Sequence, residues 1–210
     1  MDGGNGDNTN KLWTLGVFLA VLIWSGISPH DRFTWALEVA PAVAGLVVIL
    51  AFRRRFPLSD LTCLFILVQA VVLMVGGRYT YAENPLFAWL QEALHLSRNY
   101  YDRLGHFFQG FTPALIVREV FIRNRIVAKP GWLPFIVICI CLAISAAYEF
   151  IEWWVALATG EAAEAFLGTQ GDVWDTQWDM FMALVGAACA MVFMPRLQDR
   201  SMARLLGRAG

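Results

Sequence analysis

The fold class predicted for this chain is an all-α polytopic membrane bundle of about six transmembrane helices, and three observations predict it. Of 210 residues, 58% are hydrophobic and only 16% charged, with a mean hydropathy of +0.54. A soluble domain carries about a quarter charged residues, so the apolar excess faces a solvent other than water. Uncharged apolar runs recur at lengths near the ~20 residues that cross ~30 Å of hydrocarbon. Lys and Arg gather in alternate connections, as short cytoplasmic loops require. A disordered chain is excluded by the same composition. A nucleic-acid partner is excluded by the net charge of −1.

Residues 1–10 are rich in Gly, Asn and Asp and read as a disordered N-terminal tail. They lack the basic region of a signal peptide and no A-x-A-like site follows, so the first apolar run is retained. Six runs then follow, at 12–29, 39–52 after the lone Glu38, 61–77 with Gln69 inside it, 104–117 with His106 and Gln109, 132–148, and 180–195. Some reach full length only by including polar residues near one end, where such residues are informative. A single membrane domain over 11–197 results, with 198–210 as a basic cytoplasmic C-terminal tail.

Twelve of the 16 basic residues precede run one or follow runs two, four and six. That pattern puts both termini in the cytoplasm. The cytoplasmic side then sets twelve basic residues against five acidic ones, and the outer side four against twelve. The near-neutral total conceals a polarised molecule, whose acidic face is outside.

In the long outer connection, Asn84-Pro85 supplies a helix cap and first-turn residue ahead of LFAWLQEALHLS. Leu86, Leu90, Ala93 and Leu94 fall on one face beside Trp89, which predicts a short interfacial helix. His95 on it reads as an interfacial side chain. The four cysteines, Cys63, Cys139, Cys141 and Cys189, fall inside the runs without zinc or disulfide spacing, and read as small buried hydrophobes.

Carboxylates cluster by depth. Asp102 and His106 are four apart at the outer start of run four, so both project from one helical face. Glu149 lies 17 residues beyond Trp132, about 25 Å along the axis, and Glu152 is one turn further. Asp172 precedes Asp175 and Asp179, again four apart, at the start of run six. Ionised groups at such depths cost several kcal/mol unless paired, hydrated or metal-bound. The compensators available are Arg78, Arg98 and Arg103, shared protons, or a divalent cation. Carboxylates with one imidazole suit Zn, Mg, Mn, Fe or Ca. The expected metal ligands are His106, Glu149, Glu152, Asp172 and Asp179, with Asp102 or Asp175 as the catalytic proton acceptor. The plainer alternative is a hydrated vestibule in which Asp172 and Asp175 cap a helix and Arg103 pairs with a carboxylate. Glu161 and Glu164 read as solvated loop charges.

The strings NYYDRLGHFFQGFTPALIVRE, SAAYEFIEWW and FLGTQGDVWDTQWDM resemble the YjdF-like bacterial inner-membrane proteins, a family defined by a domain of unknown function. The resemblance covers most of the chain and implies a multi-pass protein of the inner membrane. More distantly, Asp102-x-x-x-His106, an embedded Glu149 and Asp175-x-x-x-Asp179 look like the pattern of VanZ-like membrane proteins. That match is partial, since Trp153 and Met182 stand where VanZ-like sequences carry Gln and Asn.

Three function classes follow. The first is a metal-dependent membrane hydrolase acting on a lipid headgroup or small envelope metabolite at the outer face. The second is a binding or transport protein for a cation or lipid. The third is a structural accessory subunit whose polar cluster fixes the bundle. Convergence of carboxylates on one imidazole places the enzyme first.

Overall fold

The structure, a computed structural model, describes the backbone of residues 3–160, 164–167 and 169–207, and the side chains of 12–160, 166–167 and 169–207. Among these residues every regular element is helical. The order is α1 (Gly3–Gly26), α2 (Arg32–Phe52), α3 (Asp60–Tyr79), α4 (Pro85–Leu94), α5 (Tyr101–Arg123), a 3₁₀ turn (Pro130–Trp132) leading into α6 (Leu133–Thr159), α7 (Glu164–Leu167), α8 (Asp175–Phe193) and α9 (Pro195–Gly207). Helix α1 runs back through the segment read as a tail, of which Met1 and Asp2 lie outside the described residues. So do Glu161 and the side chain of Glu164.

By length and composition, four helices among the described residues are able to cross a membrane: α2, α3, α6 with its leading turn, and α8. The two other expected spans are less apolar or shorter. Leu12–Gly26 of α1 is a shorter apolar stretch. Helix α5 has 23 residues but carries Asp102, Arg103, Arg118, Glu119 and Arg123. Its position explains that composition. It packs against α3, α6, α8 and α9, so most of its surface faces protein, and a helix so enclosed has no need of an apolar exterior.

The α5–α8 contact sets the geometry of the molecule. The two helices run parallel, and a Cβ on Gly110 would overlap the Ala183 carbonyl, while one on Gly186 would overlap the Phe107 carbonyl. Only hydrogen at both positions lets the backbones come this close. Below the crossing, Phe111, Ala114, Leu115, Val137, Cys141, Ala187, Ala190 and Met191 form a core shared by α5, α6 and α8. Phe18, Val39, Ala42, Ala70 and Met74 form another between α1, α2 and α3.

Local signals account for the helix ends. Asp31 caps α2 by accepting the Thr34 N–H at 2.6 Å, and that backbone donor holds its carboxyl below the ordinary value of 3.8. Asn84 caps α4 by accepting the Leu86 and Phe87 N–H groups, as the Asn-Pro pair predicts. His95 closes α4 in the left-handed conformation at φ 52°. None of the four cysteines forms a disulfide; Cys141 is buried, but Cys139 is exposed on the opposite side of α6 rather than packed inside.

Where α3, α5 and α9 meet, Glu119 is wholly buried and saturated. It accepts the Ser59 N–H at 2.8 Å and the Ser59 and Thr62 hydroxyls at 2.7 Å each, and pairs with Arg123 at 2.9 Å. Gln198 extends this knot by donating to Thr62 Oγ1 and to the Leu115 carbonyl, while accepting from Arg118. The segment expected as a basic tail is thus largely α9, anchored through Gln198, Ser201 and Met202. Much of the remaining surface is apolar and exposed, including Ile23, Val47, Phe135, Trp153, Trp154 and Val192. Water does not support so extensive an apolar exterior.

Candidate functional site

The start of α5 and the start of α8 meet two turns before the Gly110–Gly186 crossing. Arg103 is seven residues before Gly110 and Asp179 seven before Gly186, so each lies on the same helical face as its glycine. Arg103 Nη2 donates to Asp175 Oδ1 at 2.7 Å and to Asp172 Oδ2 at 3.3 Å. Its Nη1 donates to Asp179 Oδ1 and, at 3.3 Å, to Asp102 Oδ2. Arg98 Nη1 reaches the same Asp175 and Asp172 oxygens at 2.7 and 3.3 Å. Two planar forks therefore share four aspartates, an arrangement suited to the fixed donor geometry of arginine. Asp172 also accepts the Trp174 N–H at 2.9 Å through Oδ1, capping the turn before α8. Arg78, the third available compensator, is committed elsewhere, donating to the Trp24 and Ile27 carbonyls at 2.6 Å.

His106 stands between this lattice and a second set of carboxylates. Its Nε2 is 3.4 Å from Asp102 Oδ1 and 3.6 Å from Asp179 Oδ1. Its Nδ1 is 2.8 Å from Gln109 Oε1 and 3.8 Å from Glu149 Oε1. Two groups bring potential ligand atoms within 4.8 Å of one another: Asp102, His106 and Asp179, and His106, Glu149 and Glu152. The first is already engaged by Arg103. The second is not: among the described residues no guanidinium lies within ion-pair distance of Glu149 or Glu152, and Glu149, only 8% exposed, has its Oε1 without a hydrogen-bond partner. A buried acceptor in that state costs free energy unless something occupies the space beside it.

Next to this group lies a pocket of about 160 Å³ bounded by α2, α3, α5 and α6; Glu149 itself is not in its lining. Asp102, His106 and Glu152 line it with Tyr148, and Glu38 of α2, 5% exposed, enters from the facing wall. Pro41 and Pro113, each inside a helix, also line it. A proline has no N–H to offer the carbonyl four residues earlier, here those of Leu37 and Gln109. At membrane depth, such irregular backbone is tolerated where it borders a cavity or another partner.

The sequence-predicted residues thus separate into two environments. Asp102, His106, Glu149, Glu152 and Asp179 converge on one imidazole. Asp172 and Asp175 are held by the two arginines, and neither belongs to a ligand group around His106. The plainer expectation of capping and Arg103 pairing describes those two aspartates well. Glu38, Tyr81 and Tyr148 were not singled out from the sequence. The signal for Glu38 was present, because a carboxylate within an apolar span carries the same cost as Glu149.

A helical bundle with a polar site buried among apolar spans defines a polytopic membrane protein, and the chain belongs to the family Predicted membrane protein (DUF2238), whose profile matches residues 10–200. It is 52% identical over 184 residues, 88% of each chain, to the inner membrane protein YjdF of Escherichia coli (strain K12). The protein is accordingly an integral protein of the bacterial inner membrane. The VanZ-like resemblance has no support in these matches. No solved structure matches the chain.

Proposed function

We propose that the chain crosses the inner membrane six times with both termini in the cytoplasm, and that its acidic end faces outward and holds a divalent cation between His106, Glu149 and Glu152. On this reading it is a metal-dependent hydrolase acting on a lipid headgroup or small envelope metabolite. Supporting the topology, Trp13 and Trp132 are exposed toward one end of the bundle and Trp153, Trp154 and Trp174 toward the other, as aromatic belts at two interfaces require. Enclosure of α5 by its neighbours supports its inclusion among the spans.

One observation carries the cation: among the described residues seven carboxylates, including Glu38, share a layer with two guanidiniums, and two of those without a guanidinium partner, Glu149 and Glu152, adjoin His106. A divalent ion there would polarise a phosphoryl or ester oxygen and lower the pKa of a bound water. Asp102, adjacent to the ring through Nε2, is the group best placed to receive the proton. Mg, Mn, Fe, Zn and Ca all accept such a ligand set.

Metal analysis of the protein purified in detergent is expected to find about one equivalent per chain. Glu149→Ala and His106→Ala should lose it while Asp172→Asn retains it. A wild type that carries no metal and takes up none on titration would overturn the proposal. A through-path for transport is disfavoured by the apolar layer of Phe111, Leu115, Val137 and Met191 beneath the pocket and by the saturated Glu119 knot beyond it.

A further inference from the structure

The shape of the pocket says more about what enters it than its ligand atoms do. Helix α2 packs against α1, α3 and α7, and α6 against α5, α7 and α8, but α2 and α6 share no packed face. Among the described residues the short α7 packs against both, and its buried Phe166 lines the pocket. Beside α7 the two walls stand apart. Pro41 on one and Ile144 on the other line the pocket and are also exposed, Ile144 by 40%. Both lie inward of the acidic layer: Pro41 follows Glu38 by three residues, and Ile144 precedes Glu152 by eight, about 12 Å along α6. An opening at that depth faces acyl chains, not water.

The lining is polarised in the same sense. Glu38, Asp102, His106 and Glu152 occupy one end, while most of the accessible wall is apolar, interrupted inward by the Gln69 and Gln109 amides. From Asp102 to Pro113 is 11 residues of α5, about 16 Å, the length of a medium acyl segment. Among the described residues no lysine or arginine lines the pocket. A divalent cation at His106 would still leave a surplus of three carboxylates over the two arginines, so the polar end favours a positively charged partner.

We infer that the pocket admits an amine-bearing phospholipid sideways from the bilayer through the gap between α2 and α6, its ammonium group toward Glu38 and Glu152 and an acyl chain past Leu73 and Ile144. The inference rests on the site proposed above and narrows its substrate class to a membrane lipid; it does not depend on the metal.

The test uses the full chain in nanodiscs of phosphatidylethanolamine and phosphatidylglycerol, with a trace of one or the other carrying a photoreactive diazirine in its acyl chain. After irradiation, adducts are mapped by mass spectrometry and metal content is measured on the same samples. The ethanolamine lipid is expected to label Leu73, Pro113 and Ile144. Labelling of Leu73 and Pro113 should be lost in Ile144→Trp and in Pro41→Phe, two independent ways to fill the gap, each checked for an unchanged melting profile. Glu38→Gln with Glu152→Gln should keep labelling but lose the preference for ethanolamine over glycerol. Adducts confined to outward residues such as Val43, Val47 and Phe150, or equal groove labelling by both lipids in the wild type, would overturn the inference. Groove labelling in a metal-free protein would overturn the metal reading alone, and bound metal without groove labelling this inference alone.

Discussion

Two buried polar layers lie on α5, centred on Arg103 and Glu119, 16 residues and about 24 Å apart along the axis. They handle charge in opposite ways. Around Glu119 each carboxylate oxygen meets donors, and hydroxyls, a guanidinium and an amide close the network. Around His106 the arginines satisfy the aspartates, yet Glu38 and Glu152 line a cavity and Glu149 stands beside His106 with no guanidinium paired to them among the described residues. A saturated network fixes helices. An unsaturated one, kept beside open space, is what a binding site looks like before its ligand arrives.

The largest expected effect comes from breaking the frame that carries both layers. Gly110→Leu drives a side chain into the Ala183 carbonyl, and should cost ~3 kcal/mol or more, lowering the melting temperature in detergent and abolishing metal binding together. Next, Glu119→Ala should cost ~3–5 kcal/mol, because it strands Arg123 and two hydroxyls in a buried site. The same measurement on the other layer sharpens the contrast. Glu149→Gln with Glu152→Gln relieves like-charge repulsion and should leave unliganded stability unchanged or raise it by ~0.5–2 kcal/mol, while removing the metal. Destabilisation on the scale of Glu119→Ala would make the acidic layer a structural knot as well, and would favour the accessory-subunit reading.

The smallest effect belongs to a carboxylate outside both layers. Asp31→Ala removes one helix cap and should cost ~1 kcal/mol. The folded carboxyl titrates below its ordinary value of 3.8, so its contribution is complete at neutral pH and is lost as acid takes the pH down through the folded pKa. Melting curves of wild type and variant should therefore converge in acid and separate again toward neutrality.

Much of this architecture is legible in the sequence, for definable reasons. Periodicity and run length locate α2, α3, α6 and α8, and the Asn84-Pro85 pair marks the start of α4. The four-residue spacings put Asp102 with His106 and Asp175 with Asp179, because facing within a helix is a local property. Partnership across helices is not local. Nothing in the spacing says that Arg98 and Arg103 take Asp172 and Asp175 out of the set around His106, or that Ser59, Thr62 and Gln198 close on Glu119 from 57 to 79 residues away. Glu38 was passed over as an isolated interruption, since its relation to the site comes only from α2 lying across the pocket. Helix α5 misleads a hydropathy reading for the same reason: its polarity is answered by neighbours.

The pairing of Arg103 with Asp172, 69 residues later in the chain, bears on biosynthesis. A ribosome completes α5 well before it makes Asp172, Asp175 and Asp179, so until then Asp102 is the one of the four aspartates available to Arg98 and Arg103. Arrival of α8 then locks them through the glycine crossing. Charge pairing at the start of α5 is thereby finished by assembly, and a nascent chain stalled after α6 should remain a substrate for membrane quality control.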